Sequence, residues 1–114
     1  PPTVLTNISP EMPVWQEETF GPVAPIVPVN SRYEAVQVAN ASSYGLGAEV
    51  FTENLRLGEE LARLRLEAGN CFVNHYVFSD PRLPFGGVKQ SGFGRELGEF
   101  GIREFVNIKT VYLA

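Results

Sequence analysis

Glu18 and Phe20 are the first residues along the chain whose types and spacing suggest chemistry. In the run EETFGP, an extended backbone sends side chains two positions apart to the same side, so this carboxylate and this ring face one ligand together. Ribose hydroxyls donate well to a carboxylate, and a flat apolar group packs on a ring. The pair therefore suits a cofactor built from a sugar and an aromatic base. The competing reading is that acidic residues before a Gly-Pro turn are simply solvated surface.

A second candidate stretch is LPFGGVKQSGFGRE. Gly86 and Gly87 let the backbone turn tightly or approach another segment closely, next to an apolar Phe85. The stretch has neither the GxGxxG spacing after a strand nor the GxxxxGK[ST] phosphate loop, so it offers no nucleotide site of its own. Phe78, Ser79 and Asp80 precede it among turn-forming residues and are candidates to line a pocket, with a structural loop as the alternative.

Other reactive residue types lack partners. His75 is the sole histidine, with no second imidazole or cysteine at metal-ligand spacing, so no metal site is expected. Cys71, the sole cysteine, opens an apolar run and reads as a buried, inert thiol. It also excludes an internal disulfide and fits a reducing, cytoplasmic setting. Ser91 is not in a nucleophile elbow. No catalytic residue is assigned on this chain.

Local signals place these residues on elements. Val4, Leu5 and Ile8 predict a short strand, and Ala24 to Val29 an edge strand, since Pro25 and Pro28 cannot donate to a ladder. Ser31 with Glu34 has capping-box spacing, and Ala35, Val38, Ala39 and Ser42 then form one narrow helical face. After Gly45 and Gly47, a strand is expected over Ala48 to Thr52. Asn54 is placed to cap a helix carrying Leu57, Leu61, Leu64 and Ala68 on one face, with Gly69 just past its end. Cys71 to Asn74 predicts another strand, and this alternation argues for parallel pairing with right-handed crossovers. Residues 75–95 hold too many prolines and glycines for regular structure. A short helix is expected from Glu96 to Phe105, interrupted near Gly98 and Gly101. The end, VNIKTVYL, is a strand pattern apolar on both faces, which calls for cover that the rest of the chain is too short to supply.

Bulk properties exclude other classes. Nine basic against thirteen acidic residues give a net charge of −4, without the clustered positive surface that nucleic acid requires. No apolar run approaches bilayer thickness, and no signal sequence is visible, so no membrane association is expected.

Taken in order, QEETFGPV, ANASSYGLGAEVF, PFGGVKQSGFGRE and FVNIKTVYL resemble the C-terminal third of the aldehyde dehydrogenase superfamily, across essentially all 114 residues. The resemblance implies an α/β fold: the parallel-sheet portion of an aldehyde-dehydrogenase-like catalytic domain over residues 1–105, with a terminal strand at 106–114 for an oligomerisation sheet. It implies NAD or NADP as the parent enzyme's cofactor, a small-molecule aldehyde as substrate and a homo-oligomer, dimer or tetramer. By the same resemblance Glu18 binds the nicotinamide ribose hydroxyls, Phe20 contacts the nicotinamide side, and Phe85 helps wall the substrate pocket. The family's catalytic cysteine, general-base glutamate, oxyanion-hole asparagine and glycine-rich cofactor segment match nothing here. Cys71 is not the nucleophile, because it follows EETFGP and the family's cysteine precedes it.

Within the superfamily, FVNHYVFSDPRLPFGGVKQSGFGREL with GIREFVNIKTVYL is most similar to bacterial succinate-semialdehyde dehydrogenases. There acidic substrates are held partly by basic and hydroxyl-bearing residues. Ser79 is the local hydroxyl candidate, and Arg82 is a possible charge of unassigned direction. The alternative is a non-catalytic module that binds through its last strand by β-augmentation.

Overall fold

A computed structural model describes residues 1–114, which divide into two compact units, 1–43 and 44–114.

In the first unit, β1 (Thr3–Leu5), α1 (Pro13–Gln16), β2 (Val23–Pro25) and α2 (Arg32–Asn40) follow in order. β1 and β2 pair in parallel, with Val4 opposite Ala24. β2 stops at Pro25, short of the expected Val29, because Pro25 and Pro28 interrupt any continuous ladder. The single turn α1 was not expected; Pro13 at its first position loses no intrahelical bond there.

The cap of α2 forms as its spacing predicts, with Ser31 Oγ accepting the Glu34 N–H at 3.1 Å. The return arm differs from a standard capping box. Glu34 Oε2 accepts the Asn30 N–H at 2.7 Å, one residue ahead of the cap. Of the predicted narrow face, Ala35 and Val38 are half-buried, whereas Ala39 and Ser42 are exposed.

The second unit contains β3 (Tyr44–Gly45), β4 (Gly47–Val50), α3 (Leu55–Leu64), β5 (Asn70–Val73), β6 (Val88–Lys89) and α4 (Gly98–Arg103). β4 and β5 pair in parallel around the crossover helix α3, with Gly47 opposite Asn70 and Val50 opposite Val73. β3 and β6 pair antiparallel. Asn54 caps α3 by accepting the Leu57 N–H at 3.1 Å. Gly58 is the closest approach of helix to sheet: a Cβ there would lie 2.6 Å from Val73 Cγ1. Leu57 and Leu61 half-bury themselves on that side.

α3 ends earlier than its leucine pattern predicts. Leu66 N–H already returns to the Leu61 carbonyl at 3.0 Å, and Leu64 is left 73% exposed. Gly69, expected just past the helix, instead donates to the Gly45 carbonyl at 3.0 Å and leads into β5. The parallel register of β5 with β4 requires this extended approach.

No apolar side chain of the chain is fully buried, and Leu113, Phe105, Ile108 and Tyr112 are among those left largely exposed. Residues 107–114 form no ladder with any strand of this chain.

Candidate functional site

Glu18 and Phe20 lie on the loop between α1 and β2. Both are exposed, Phe20 at 93%. The loop is shaped by its own backbone, with Gly21 N–H donating to Thr19 O at 2.9 Å and Val23 N–H to Gly21 O at 2.8 Å. Neither side chain is engaged within the chain. A carboxylate and a ring left exposed on one short loop are free to meet a sugar hydroxyl and a flat apolar group.

Ser79 and Phe85 belong to the second unit, on a segment that returns toward the N-terminal ends of β4 and β5, where Val77 lies beside Gly47 and Gly86 beside Gly69 and Asn70, after leaving the sheet at its C-terminal end. There the backbone leaves β5 through Asn74, which has φ +55°. Asn tolerates this left-handed conformation better than most residues. Its side chain grips the Thr52 backbone on both sides: Oδ1 accepts the Thr52 N–H at 2.8 Å and Nδ2 donates to its carbonyl at 2.9 Å. Glu49 adds a second tie by accepting the Val77 N–H at 2.7 Å. Between these ties rises a cluster of rings. Phe78 lies 5.2 Å from Phe72 and 5.1 Å from His75, and His75 lies 4.4 Å from Tyr76, all tilted. His75 Nδ1 sits 2.9 Å from the Tyr76 carbonyl. A carbonyl can only accept, so this nitrogen carries the proton.

Ser79 is exposed, and its hydroxyl has no partner in the chain. Asp80 and Arg82 form a fork with Nε and Nη2 at 2.9 and 2.6 Å from the two carboxylate oxygens. These bonds hold the Asp80 carboxyl down to about 2, and the carboxylate in turn raises the Arg82 guanidinium. The direction of Arg82, open in the sequence, is thus toward Asp80. Phe85, half-buried, exchanges both backbone bonds with Glu96 at 2.8 and 2.7 Å.

The glycine-rich loop that carries Phe85 is packed backbone to backbone. Asn70, 9% exposed, donates its amide to the Leu46 and Gly86 carbonyls at 2.8 and 2.9 Å. Ser91 Oγ accepts the Gly45 N–H at 3.0 Å, and Arg95 donates to the Gly87 and Gly94 carbonyls at 2.8 Å each. Lys89 pairs with Glu67 at 2.8 Å. Sequence reasoning missed Asn70, Asn74 and Ser91 as positioning residues. Only Asn74 carried a local signal, an asparagine closing an apolar strand.

Cys71 is half-buried rather than buried as expected, and that burial pushes its thiol up. No group of three or more His, Cys, Asp or Glu is placed to hold a metal. No helix is long and apolar enough to cross a membrane.

Comparison with known proteins identifies the family. The aldehyde dehydrogenase family profile matches residues 1–111. The chain is 51% identical over 112 residues to the NAD(P)+ succinate semialdehyde dehydrogenase Sad of Escherichia coli, covering 98% of this chain and 24% of that protein. It is 51% identical over 114 residues to a probable NADP+ succinate-semialdehyde dehydrogenase of Synechocystis, covering 100% of this chain and 25% of the relative. Among solved structures, the succinic semialdehyde dehydrogenase of Streptococcus pyogenes in complex with NADP+ superposes with a TM-score of 0.93 at 43% identity. That match covers 98% of this chain and 24% of the other. The chain thus spans about a quarter of the length of the curated relatives it matches. It belongs to the aldehyde dehydrogenase family and has the α/β fold of that family's catalytic domain.

Proposed function

We propose that this chain is the C-terminal portion of an enzyme oxidising succinate semialdehyde to the dicarboxylic acid with NAD or NADP, and that it carries no turnover by itself. The observation carrying this reading is the pair of unengaged residues Glu18 and Phe20 on one loop, in a chain half identical to two succinate-semialdehyde dehydrogenases.

In this reading Glu18 accepts hydrogen bonds from the nicotinamide ribose hydroxyls, and Phe20 packs beside the nicotinamide. Bound there, NAD(P) supplies a two-electron acceptor for aldehyde oxidation. Phe85, with its backbone locked to Glu96, walls the aldehyde pocket, and the Ser79 hydroxyl donates to the distal carboxylate of the substrate. The chain brings no nucleophile and no general base, so its own contribution is to hold cofactor and substrate in place. Residues 1–105 form the catalytic-domain portion. Residues 106–114, exposed and outside every ladder of the chain, serve as a strand in an oligomerisation sheet of a homo-oligomer.

The test compares NAD(P) reduction by the full-length protein containing this chain with reduction by the 114-residue chain, using succinate semialdehyde and each cofactor. Turnover only by the longer protein supports the reading. Turnover by the chain alone, or none by either with any aldehyde, refutes it.

A further inference from the structure

The segment joining Ser79 to Phe85 is tied down along its length. Asp80 accepts the Arg82 backbone N–H at 2.9 Å as well as the Nε and Nη2 of the same residue at 2.9 and 2.6 Å. The Asp80 carbonyl accepts the Leu83 N–H at 2.9 Å, which closes a turn. The Pro81 carbonyl accepts the Gly98 N–H at 3.0 Å, which fastens that turn to the start of α4. Gly98 is needed there: its φ is +56°, and a Cβ would lie 3.2 Å from the Arg82 carbonyl oxygen. Phe85 is then anchored on Glu96.

The fork is uneven. The Arg82 side chain is 86% exposed, but that of Asp80 is only 13% exposed. An exposed ion pair contributes little by itself. In this one the carboxylate is shielded, also holds a backbone amide, and meets the guanidinium with two parallel bonds that fix its orientation. Pro81 between the two residues has a fixed φ, so the turn has few ways to relax. Two of the Arg82 donors are spent on Asp80, and the pair is neutral as a unit.

We propose that Asp80 is a positioning residue for substrate selection: through its fork with Arg82 it sets where Ser79 stands relative to Phe85. This rests on the reading that Ser79 and Phe85 face an acidic aldehyde. Asp80 itself touches no substrate.

The experiment uses the full-length enzyme with Asp80→Asn, Arg82→Ala and the double variant, assayed with succinate semialdehyde and with butanal, which has no carboxylate. Loosening the turn misplaces the Ser79 hydroxyl. Asp80→Asn should therefore raise KM for succinate semialdehyde about tenfold, within the range that a small misplacement costs. kcat with both aldehydes and KM for butanal should stay unchanged. Arg82→Ala should do the same, and the double variant should be no worse than either single one, because both break one interaction.

If Arg82 were instead the ligand of the carboxylate, Asp80→Asn would free it and lower that KM, which would overturn the proposal. Equal losses of kcat with both aldehydes would also overturn it, as general structural damage. Hydrogen exchange at the Leu83 and Gly98 amides reads the turn without turnover. Asp80→Asn should speed both, and unchanged exchange sinks the proposal even if the wild-type protein oxidises no aldehyde, a result that refutes the functional reading instead.

Discussion

Gly69 lies so close to Gly86 that a β-carbon added to Gly69 would fall 1.9 Å from the Gly86 carbonyl oxygen. The obstacle is backbone rather than the end of a flexible side chain, so the glycine-rich loop could admit a methyl group only by moving as a whole. That loop carries Phe85. Substituting Gly69→Ala should destabilise the protein by about 3 kcal/mol, the upper part of the usual range for overpacking. Chemical denaturation of the full-length protein measures it, and a midpoint equal to wild type would show that the loop yields freely.

Asn70 holds the same contact from the side, with its amide shared between the Leu46 and Gly86 carbonyls. Asn70→Ala leaves two carbonyls without that donor at a position only 9% exposed, and should cost about 2 kcal/mol. Asn70→Asp should cost more, because a carboxylate would face two carbonyl oxygens and repel both. Ranking the two variants by thermal midpoint tests the geometry directly.

Glu18 makes no side-chain contact within the chain, so Glu18→Gln should leave stability unchanged. If it holds the ribose, loss of its charge weakens hydrogen bonds to a carboxylate and should raise KM for NAD(P) about tenfold. Steady-state kinetics with varied cofactor separates the two effects. A cofactor KM equal to wild type would remove Glu18 from the site.

The Asp80 carboxyl is lowered from 3.8 to about 2, first by the side-chain hydrogen bonds from Arg82 and next by the Arg82 backbone N–H. A depressed folded-state value means the carboxylate contributes stability above its unfolded value and loses that contribution as pH falls through the folded one. The fork should therefore be intact at neutral and mildly acidic pH. The stability difference between wild type and Asp80→Asn should be constant from neutrality down to about pH 4 and should shrink only below it. Urea titrations of both proteins at several pH values would reveal any earlier loss.

Burial raises the Cys71 thiol above its ordinary 9.0, so the unreactive thiol form dominates at neutral pH. Iodoacetamide should modify Cys71 slowly, and Cys71→Ala should keep the full-length enzyme's turnover. Loss of turnover in that variant would assign this cysteine a catalytic role and contradict its place in the chain.

Features that depend on neighbours in sequence were legible in advance. Ser31 and Asn54 cap their helices because each hydroxyl or amide oxygen reaches an N–H three residues on. The helix between two parallel strands follows from short connections and period alone. EETFGP and PFGGVKQSGFGRE were recognisable because their residue order carries the family pattern without any contact being known.

Tertiary structure decided what lies between distant residues. The leucine repeat continued past Leu64, yet α3 ends there, because Gly69 must reach Gly45 and bring β5 into register with β4. Gly69 looked like the residue just past a helix, and its place is instead a backbone crossing against Gly86. Arg82 had no direction until Asp80 was seen to take it. Asn70 and Ser91 carried no local sign of their partners, 16 and 46 residues away. Hydrogen bonds that close long loops leave no periodic trace in sequence, since what selects the residue is a vacancy made by chain segments that meet only after folding.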